Sequence, residues 1–225
     1  MNNPDIVFFD LDHTLIDTDC EWAWKNMLAD MGLVPDSQRA RQDRYIELHA
    51  EGKTPAEEYL DFLSSDFVGK TIDEMSRLAE RNFTANVRHK VFPQAIDEIE
   101  GILSAGGKPV LLSGSVRPIL GPVAAHLGFE EIVCTELEVA GGRFTGRLDS
   151  DFCIREGKLK RARDYCAQHD HQLREAGFFG DSLSDVQMFE RVGQANVVNP
   201  RPGLARLAKQ NGWRIVHWGR PSEPR

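Results

Sequence analysis

Two carboxylates follow a short apolar run near the start of the chain. Ile6–Phe9 is typical of a buried parallel strand, and Asp10 and Asp12 come directly after it. In extended geometry, residues two apart project from the same face, so both carboxylates would lie together at the strand's end. Like charges buried at one point need a cation, and a hard metal such as Mg²⁺ takes oxygen ligands. The stretch predicts a metal site, with solvated turn aspartates as the alternative.

A hydroxyl, a glycine and a lysine stand at later junctions of predicted strands and helices. Ser113 and Gly114 follow the apolar run Pro109–Leu112 and precede a helix, where a hydroxyl and an accessible backbone amide can bind an anion. The alternative is ordinary capping of that helix by Ser115. Lys158 begins another predicted helix, where a cation opposes the helix dipole, so a bound anion would explain its position. A solvated surface lysine is the alternative.

Two more aspartates, Asp181 and Asp185, follow the apolar pair at residues 178–179. They could complete an all-oxygen metal site with the first pair. Because Ser182 stands three residues before Asp185, the stretch can also be interpreted as a helix cap in which Asp185 orients its neighbours. Each stretch is ambiguous alone. Four of them, each at a predicted strand end, together favour one site.

From residue 91 onward, strand-like apolar runs alternate with helical segments. Strands are predicted at 109–112, 132–135, 195–198 and 214–217, with another ending at Asp181 and a hairpin over 138–144. Helices are predicted over 93–105, 116–127 and 157–169, and from the second aspartate pair to Val192. This alternation predicts an α/β fold, a doubly wound, mostly parallel sheet with helices on both faces. Ligands bind at the carboxyl ends of such strands, where the polar residues above fall.

Residues 17–90 are helical and polar, without strand-like alternation. Helices are predicted over 21–31 and 37–50, and two capping-box motifs predict helices that begin near Thr54 and Thr71. The aromatic and methionine side chains of this segment are expected to form the core of a small bundle. We therefore predict a catalytic core from residues 1–16 and 91–225, with residues 17–90 inserted as a helical cap domain.

Composition limits the class of partner. The 225-residue chain carries a net charge of −8, which argues against nucleic acid as a partner. No apolar run has the length of a transmembrane helix, and residues 1–5 lack the basic start of a secretory signal. The four cysteines show no metal or disulfide spacing and are expected to be reduced. We expect a cytoplasmic protein that binds neither membranes nor nucleic acid, and its oligomeric state stays open.

The four motifs together resemble those of the haloacid dehalogenase superfamily, and more narrowly its phosphoserine-phosphatase-like branch. The matching stretches are Asp-x-Asp-x-Thr at residues 10–14, Ser113 after the second strand, Lys158, and Gly-Asp-x-x-x-Asp at residues 180–185. The helical insertion after the first motif corresponds in position to the cap of that branch. The resemblance covers essentially the whole chain and implies a Rossmann-like core with an inserted cap.

This resemblance implies a phosphatase mechanism. Asp10 would be the nucleophile that attacks phosphorus and forms an aspartyl-phosphate. Asp12 would protonate the leaving alcohol and then deprotonate the hydrolytic water. A carboxylate at this second position favours phosphate esters over dehalogenation, because a halide leaves without a proton. Phosphotransfer to another alcohol, or a non-catalytic module that binds a phosphorylated ligand, are the alternatives.

The resemblance also implies how the ligands are held. Mg²⁺ would be bound by the Asp10 carboxylate, the Asp12 backbone carbonyl and Asp181. Asp185 would bind it through water or orient Asp181. The phosphoryl oxygens would be bound by three groups, namely Ser113, the backbone amide of Gly114, and Lys158.

The substrate is expected to be a small phosphorylated metabolite of amino-acid metabolism, of the phosphoserine or histidinol phosphate type. Phosphoserine phosphatases usually have a Glu nine residues after the nucleophile that contacts the substrate's amino group. Asp19, one methylene shorter, stands at that position here. Arg39, Arg41 and Arg44 of the cap could bind a substrate carboxylate, with a solvated helix face as the alternative.

Overall fold

The computed structural model of the chain describes residues 4–219, so residues 1–3 and 220–225 of the predicted core lie outside the described part. Within that range the strands are β1 (Ile6–Phe9), β2 (Lys108–Val116), β3 (Glu131–Thr135), β4 (Leu137–Ala140), β5 (Arg143–Leu148), β6 (Gly177–Gly180), β7 (Gln194–Val198) and β8 (Arg214–Val216). Over the same range the α-helices are α1 (Cys20–Asp30), α2 (Ser37–Ala50), α3 (Ala56–Ser64), α4 (Ile72–Asn82), α5 (Pro93–Ser104), α6 (Arg117–Leu127), α7 (Glu156–Gln168), α8 (Val186–Phe189) and α9 (Pro202–Asn211).

Six strands form one parallel sheet in the order β3-β2-β1-β6-β7-β8. At its centre, Phe8 of β1 lies opposite Val110 of β2 and Phe178 of β6, and all three side chains are fully buried. Continuous apolar runs of this kind suit a parallel sheet that is covered on both faces. β4 and β5 form a separate antiparallel hairpin. The predicted α/β class with a doubly wound, mostly parallel sheet is confirmed.

The strand order reverses beside β1, and this reversal brings distant parts of the chain to one edge. The chain runs outward from β1 through β2 to β3, and later outward on the other side from β6 through β7 to β8. Parallel sheets bind ligands at the carboxyl ends of their strands, next to such a reversal. Asp10 directly follows β1 and Asp181 directly follows β6 at this edge.

Helices α1 to α4 lie between β1 and β2 along the chain, and we propose that they form the cap; residues 17–90 are called the cap segment below. This segment shares a buried apolar cluster with the sheet, since Trp24 of α1 and Phe9 of β1 both belong to it. The Lys25 ammonium forms a buried ion pair with Asp66 at 2.8 Å, which ties α1 to the residues that follow α3.

The two predicted capping boxes differ in outcome. At Thr71 the box forms. The Thr71 hydroxyl accepts from the Glu74 backbone amide, and the Glu74 carboxylate accepts from the Thr71 backbone amide. At Thr54 it does not form, because α3 begins at Ala56 with Pro55 as its N-cap and with no side-chain cap bond. The helix predicted to begin near Thr54 is thus present, but its capping box is wrong, and the Thr54 hydroxyl is buried without a hydrogen-bond partner in the described chain.

Two further local predictions are corrected. Strand β2 continues through Ser115, so this serine does not cap α6, which begins at Arg117. The helix predicted up to Val192 is shorter, with a single 3₁₀ turn at Leu183–Asp185 followed by α8. Helix α9 was not predicted, although Pro202 at its first position and a glycine after its end are typical helix boundaries.

Two expectations from composition concern the whole chain. Among residues 4–219, no helix has the length and apolar character needed to cross a bilayer. The four cysteines, at positions 20, 134, 153 and 166, are all buried free thiols.

Candidate active site

Three carboxylates converge at the edge where β1 and β6 end. One carboxylate oxygen from each of Asp10, Asp181 and Asp185 lies within 4.8 Å of the others. The backbone amide of Asp10 donates to the Phe179 carbonyl at 2.9 Å and so extends the pairing of β1 with β6. The sheet topology therefore assembles a cluster from residues that are about 170 positions apart in the chain.

A single ammonium enters this cluster. Lys158, in the first turn of α7, donates to Asp10 Oδ1 at 2.8 Å and to Asp185 Oδ1 at 2.6 Å. Burial alone would lower the pKa of Lys158, but these two carboxylates outweigh burial and hold the pKa above its usual 10.5. Gly157 permits this placement, because a Cβ there would lie 1.9 Å from the Phe152 carbonyl oxygen. The sequence predicts that Lys158 binds an anion, and in the structure the anions that it contacts are the carboxylates of Asp10 and Asp185.

Burial, followed by the crowding of like charges, raises the pKa of the Asp10 and Asp181 carboxyls. Burial raises the pKa of Asp10 to about 6, against the opposing effect of Lys158. Burial, and then the charges of Asp10 and Asp185, raise the pKa of Asp181 well above 3.8. Three carboxylates around one ammonium leave negative charge uncompensated, and a divalent cation would relieve it. The all-oxygen donor set fits a hard cation.

The Asp12 side chain faces away from the cluster and toward the start of α1. Its Oδ1 accepts from the Cys20 backbone amide at 2.7 Å, and its Oδ2 accepts from the Ser115 hydroxyl at 3.4 Å. Burial, and then the charges of Asp19 and Asp10, raise the pKa of Asp12 well above 3.8. The expectation that both carboxylates leave one face for one metal is therefore corrected, because the chain turns immediately after β1. The Asp12 carboxylate is therefore not among the three that converge, which are those of Asp10, Asp181 and Asp185.

Ser113 and Gly114 lie within β2, beside the same edge. The Ser113 hydroxyl oxygen accepts from the Ser115 amide at 3.2 Å, which leaves its own hydrogen available to donate to an anion. The Gly114 carbonyl accepts from the Thr135 hydroxyl at 2.5 Å, and a Cβ on this glycine would lie 2.8 Å from the Ile154 side chain. The backbone is thus fixed where a close approach to a ligand is possible.

Asp185 holds the lysine rather than the neighbouring aspartate. Its Oδ1 accepts from Lys158, and its Oδ2 accepts from the Ser182 hydroxyl at 3.3 Å. Ser182 makes no side-chain cap bond to the following turn, so the alternative of a helix cap is wrong. Of the two roles predicted for Asp185, orientation fits these contacts, and the group that it orients is Lys158.

A cavity of about 430 Å³ opens over these residues. All the predicted catalytic, phosphate-binding and metal-binding residues line it except Asp185, and the cap segment contributes Tyr45, His49 and Tyr59 to its wall. Asp19 also lines it, although its carboxylate accepts from the Trp22 amide at 2.7 Å as the N-cap of α1. The cavity is therefore bounded by both the sheet edge and the cap segment.

The positive residues of the cavity wall differ from those expected in the cap. Arg39 pairs with Asp30 and Asp36 on the surface, and Arg41 pairs with Glu58. None of the three cap arginines, at positions 39, 41 and 44, lines the cavity, so their assignment to a substrate carboxylate is corrected.

Three residues that line the cavity were not predicted from the sequence, namely Arg155, Arg201 and His49. Arg155 adopts a φ of 47°, which is rare for a residue with a side chain, and its Nη2 is buried without a partner in the described chain. The one sequence feature that could have identified Arg155 is its position shortly before Lys158. Its positive φ could not be predicted, because arginine does not favour that backbone conformation.

Comparison with known proteins agrees with this geometry. Residues 7–190 match the haloacid dehalogenase-like hydrolase family. A histidinol-phosphatase of Neisseria meningitidis is 26% identical over 218 residues, covering 95% of this chain and 98% of that protein. A protein of unknown function from Bordetella pertussis has a solved structure with a TM-score of 0.85 and 29% identity, covering 96% of this chain and 99% of the other. A substrate-bound phosphoserine phosphatase shares the fold, with a TM-score of 0.70 and 17% identity over 96% of this chain and 94% of its own.

We predict that Asp181→Asn stabilises the metal-free protein by about 1–2 kcal/mol near neutral pH, because it removes a charge from the crowded cluster. A folded-state pKa above the unfolded value means that the charged carboxyl destabilises the fold at high pH. The gain should therefore shrink as pH falls toward 3.8. Urea unfolding in EDTA at several pH values measures it.

Asp61→Asn, at an exposed aspartate of α3, is the matched control and should change the free energy of unfolding by less than about 0.5 kcal/mol. An Asp181→Asn protein that is no more stable than the wild type in EDTA would contradict the crowding that we describe.

Proposed function

Because the chain belongs to the haloacid dehalogenase-like hydrolase family, we propose that it is a Mg²⁺-dependent phosphatase that hydrolyses small phosphomonoesters through an aspartyl-phosphate at Asp10. The observation that carries the proposal is the contact of Asp10 with the Lys158 ammonium, at 2.8 Å in the cavity wall. A phosphate ester is an anion, and the chain has a net charge of −8. Lys158 supplies positive charge at the nucleophile, where the reaction needs it.

In the first step, a carboxylate oxygen of Asp10 forms a bond to phosphorus while the bond between phosphorus and the ester oxygen breaks. The electron pair of the broken bond goes to the leaving oxygen, which takes a proton from Asp12. The raised pKa of Asp12 supports this role, because the carboxyl can hold a proton to donate. The Cys20 amide fixes its orientation.

In the second step, water attacks the phosphorus of the aspartyl-phosphate and gives its proton to Asp12. The bond between phosphorus and Asp10 breaks, which releases inorganic phosphate and restores the carboxylate. Thr14, whose hydroxyl donates to Asp10 Oδ2 at 3.4 Å, and Lys158, on Oδ1, hold the carboxylate in place through both steps.

The phosphoryl group is proposed to lie between the Ser113 hydroxyl, the Gly114 amide and Lys158. We propose that Mg²⁺ is held by the carboxylates of Asp10 and Asp181 together with the Asp12 backbone carbonyl. When bound, Mg²⁺ would compensate the excess negative charge and polarise a phosphoryl oxygen. We propose that Asp185 holds Lys158 rather than binding Mg²⁺ directly, since its Oδ1 accepts from that ammonium and its Oδ2 accepts from the buried Ser182 hydroxyl.

The substrate is proposed to be a small phosphorylated metabolite of amino-acid metabolism. A cavity of about 430 Å³ is of a size that suits a small molecule. Asp19 in its wall can accept from an amino group. The relative from Neisseria is named a histidinol-phosphatase, and the fold is shared with a phosphoserine phosphatase, so both esters belong in the assay.

We expect the purified protein to release phosphate from phosphoserine, histidinol phosphate or another small ester with Mg²⁺, and to stop when EDTA removes the metal. Asp10→Asn should abolish turnover because an amide does not form the phosphoryl intermediate. Phosphate release across a panel of phosphomonoesters measures this, with thermal unfolding to check that the variant folds. Equal activity in Asp10→Asn and wild type would overturn the nucleophile assignment.

Asp12→Asn keeps an oxygen for the Cys20 amide but has no proton to give. For an alkyl phosphate we expect kcat to fall by about 10²–10⁴-fold. For p-nitrophenyl phosphate, whose leaving group needs no proton, we expect a burst of about one equivalent of nitrophenolate followed by slow turnover. Stopped-flow absorbance distinguishes the two phases. If Asp12→Asn turned over both esters as fast as the control Asp61→Asn, Asp12 would not act as the proposed acid and base.

A further inference from the structure

Helix α2 of the cap segment contacts the second aspartate motif at its last turn. His49 Nε2 lies 3.0 Å from the Ser184 hydroxyl oxygen. Three residues later Gly52, with φ of 68°, approaches the same turn so closely that a Cβ on it would lie 3.7 Å from the Leu183 carbonyl oxygen. The cap and the core therefore meet here through both a side chain and the backbone.

From His49, hydrogen bonds continue without a break to the carboxylate that holds the lysine. The Ser184 and Ser182 hydroxyls are 2.6 Å apart, and Ser182 is 3.3 Å from Asp185 Oδ2. Asp185 Oδ1 in turn accepts from Lys158, which also donates to Asp10. Both serines and the carboxylate are buried. This path links helix α2 to the proposed nucleophile. No step of the proposed mechanism uses its hydrogen bonds between His49, Ser184 and Ser182.

The direction of each hydrogen bond follows from the number of hydrogens available. A carboxylate only accepts, so the single hydroxyl hydrogen of Ser182 is directed to Asp185. Ser182 must then accept from Ser184, whose only hydrogen is thereby used, and Ser184 must accept from His49. The chain of bonds is complete only if His49 carries its hydrogen on Nε2. The His49 imidazole is thus the first donor in a chain of hydrogen bonds through Ser184 and Ser182 to the buried Asp185 carboxylate, which we call the relay.

We infer that His49 is a positioning residue: by donating through Ser184 and Ser182 to Asp185, it fixes the carboxylate that holds Lys158 against Asp10, so that helix α2 of the cap segment aligns the lysine. The inference rests on the proposed phosphatase activity of this site. Burial lowers the pKa of His49 below 6.5, and Lys158 and Arg155 act in the same direction against two nearby aspartates. The ring is therefore a neutral donor near neutral pH.

The kinetic test compares His49→Leu with His49→Gln. Leucine fills the space without a donor, and we expect kcat to fall by about ten- to a hundredfold with KM changed by less than about threefold. The glutamine amide nitrogen can take the position of Nε2, so it should restore most of kcat. A residue that only contacts substrate would raise KM instead. His126→Leu, at an exposed histidine at the end of α6, should leave kcat unchanged.

A second readout does not depend on activity. In ¹H–¹⁵N spectra of the imidazole side chains near neutral pH, we expect a directly observed Nε2–H for His49, because its hydrogen bond slows exchange with water. The signal is assigned by its loss in His49→Gln, and Ser184→Ala should remove it as well. A hydrogen on Nδ1, or an Nε2–H signal unchanged in Ser184→Ala, would overturn the relay.

The two proposals can fail separately. If the wild type hydrolyses an ester with Mg²⁺ but His49→Leu keeps its kcat, or if His49→Gln is no better than His49→Leu, the positioning role is wrong and the phosphatase activity stands. If the wild type releases no phosphate across the panel, the proposed function fails, and the imidazole spectrum still decides whether the relay exists.

Discussion

The Lys158 ammonium between Asp10 and Asp185 is the contact on which the site depends. Two unit charges about 4 Å apart repel by roughly 4 kcal/mol at the effective dielectric of a protein surface, and a domain is stable by only about 5–15 kcal/mol. Three carboxylates within 4.8 Å of one another are therefore tolerated only with compensation. One lysine provides part of it, and the remaining negative charge leaves a place for a divalent cation, which fits the all-oxygen donor set. The same charge balance serves a reaction in which an anionic ester meets an anionic nucleophile.

The cap segment takes part in this balance through two of its helices. The first residues of α1 orient Asp12 through the Cys20 amide, and the last turn of α2 reaches the second aspartate motif through His49. Both contacts follow from connectivity, because the segment leaves the sheet immediately after the first aspartate pair and returns at β2. In the cap role that we propose, this segment does more than cover the cavity, since its helix ends form hydrogen bonds with Asp12 and Ser184.

The parallel sheet and the positions of the motif residues could be predicted from sequence, because apolar runs and the polar residues that directly follow them are local features. Asp10, Lys158 and Asp181 follow their strands or begin their helix as expected. The details that were missed depend on tertiary contacts. Ser115 looks like a helix cap in sequence, but its hydroxyl is held by Asp12, 103 positions away. Arg39 and Arg41 of the cap segment pair with acidic side chains outside the cavity, which the sequence pattern does not reveal. His49 belongs to no recognisable motif.

The central claim is that the phosphoryl group is transferred first to Asp10 and only then to water. The most direct measurement is reduction with borohydride during turnover, which converts an acyl-phosphate to an alcohol and so changes the aspartate into homoserine. Mass spectrometry of the peptide that contains residue 10 would then locate it. The account predicts homoserine at position 10, present only when substrate and Mg²⁺ are both supplied. Turnover with an unmodified aspartate at this position, or with homoserine at another aspartate, would contradict it.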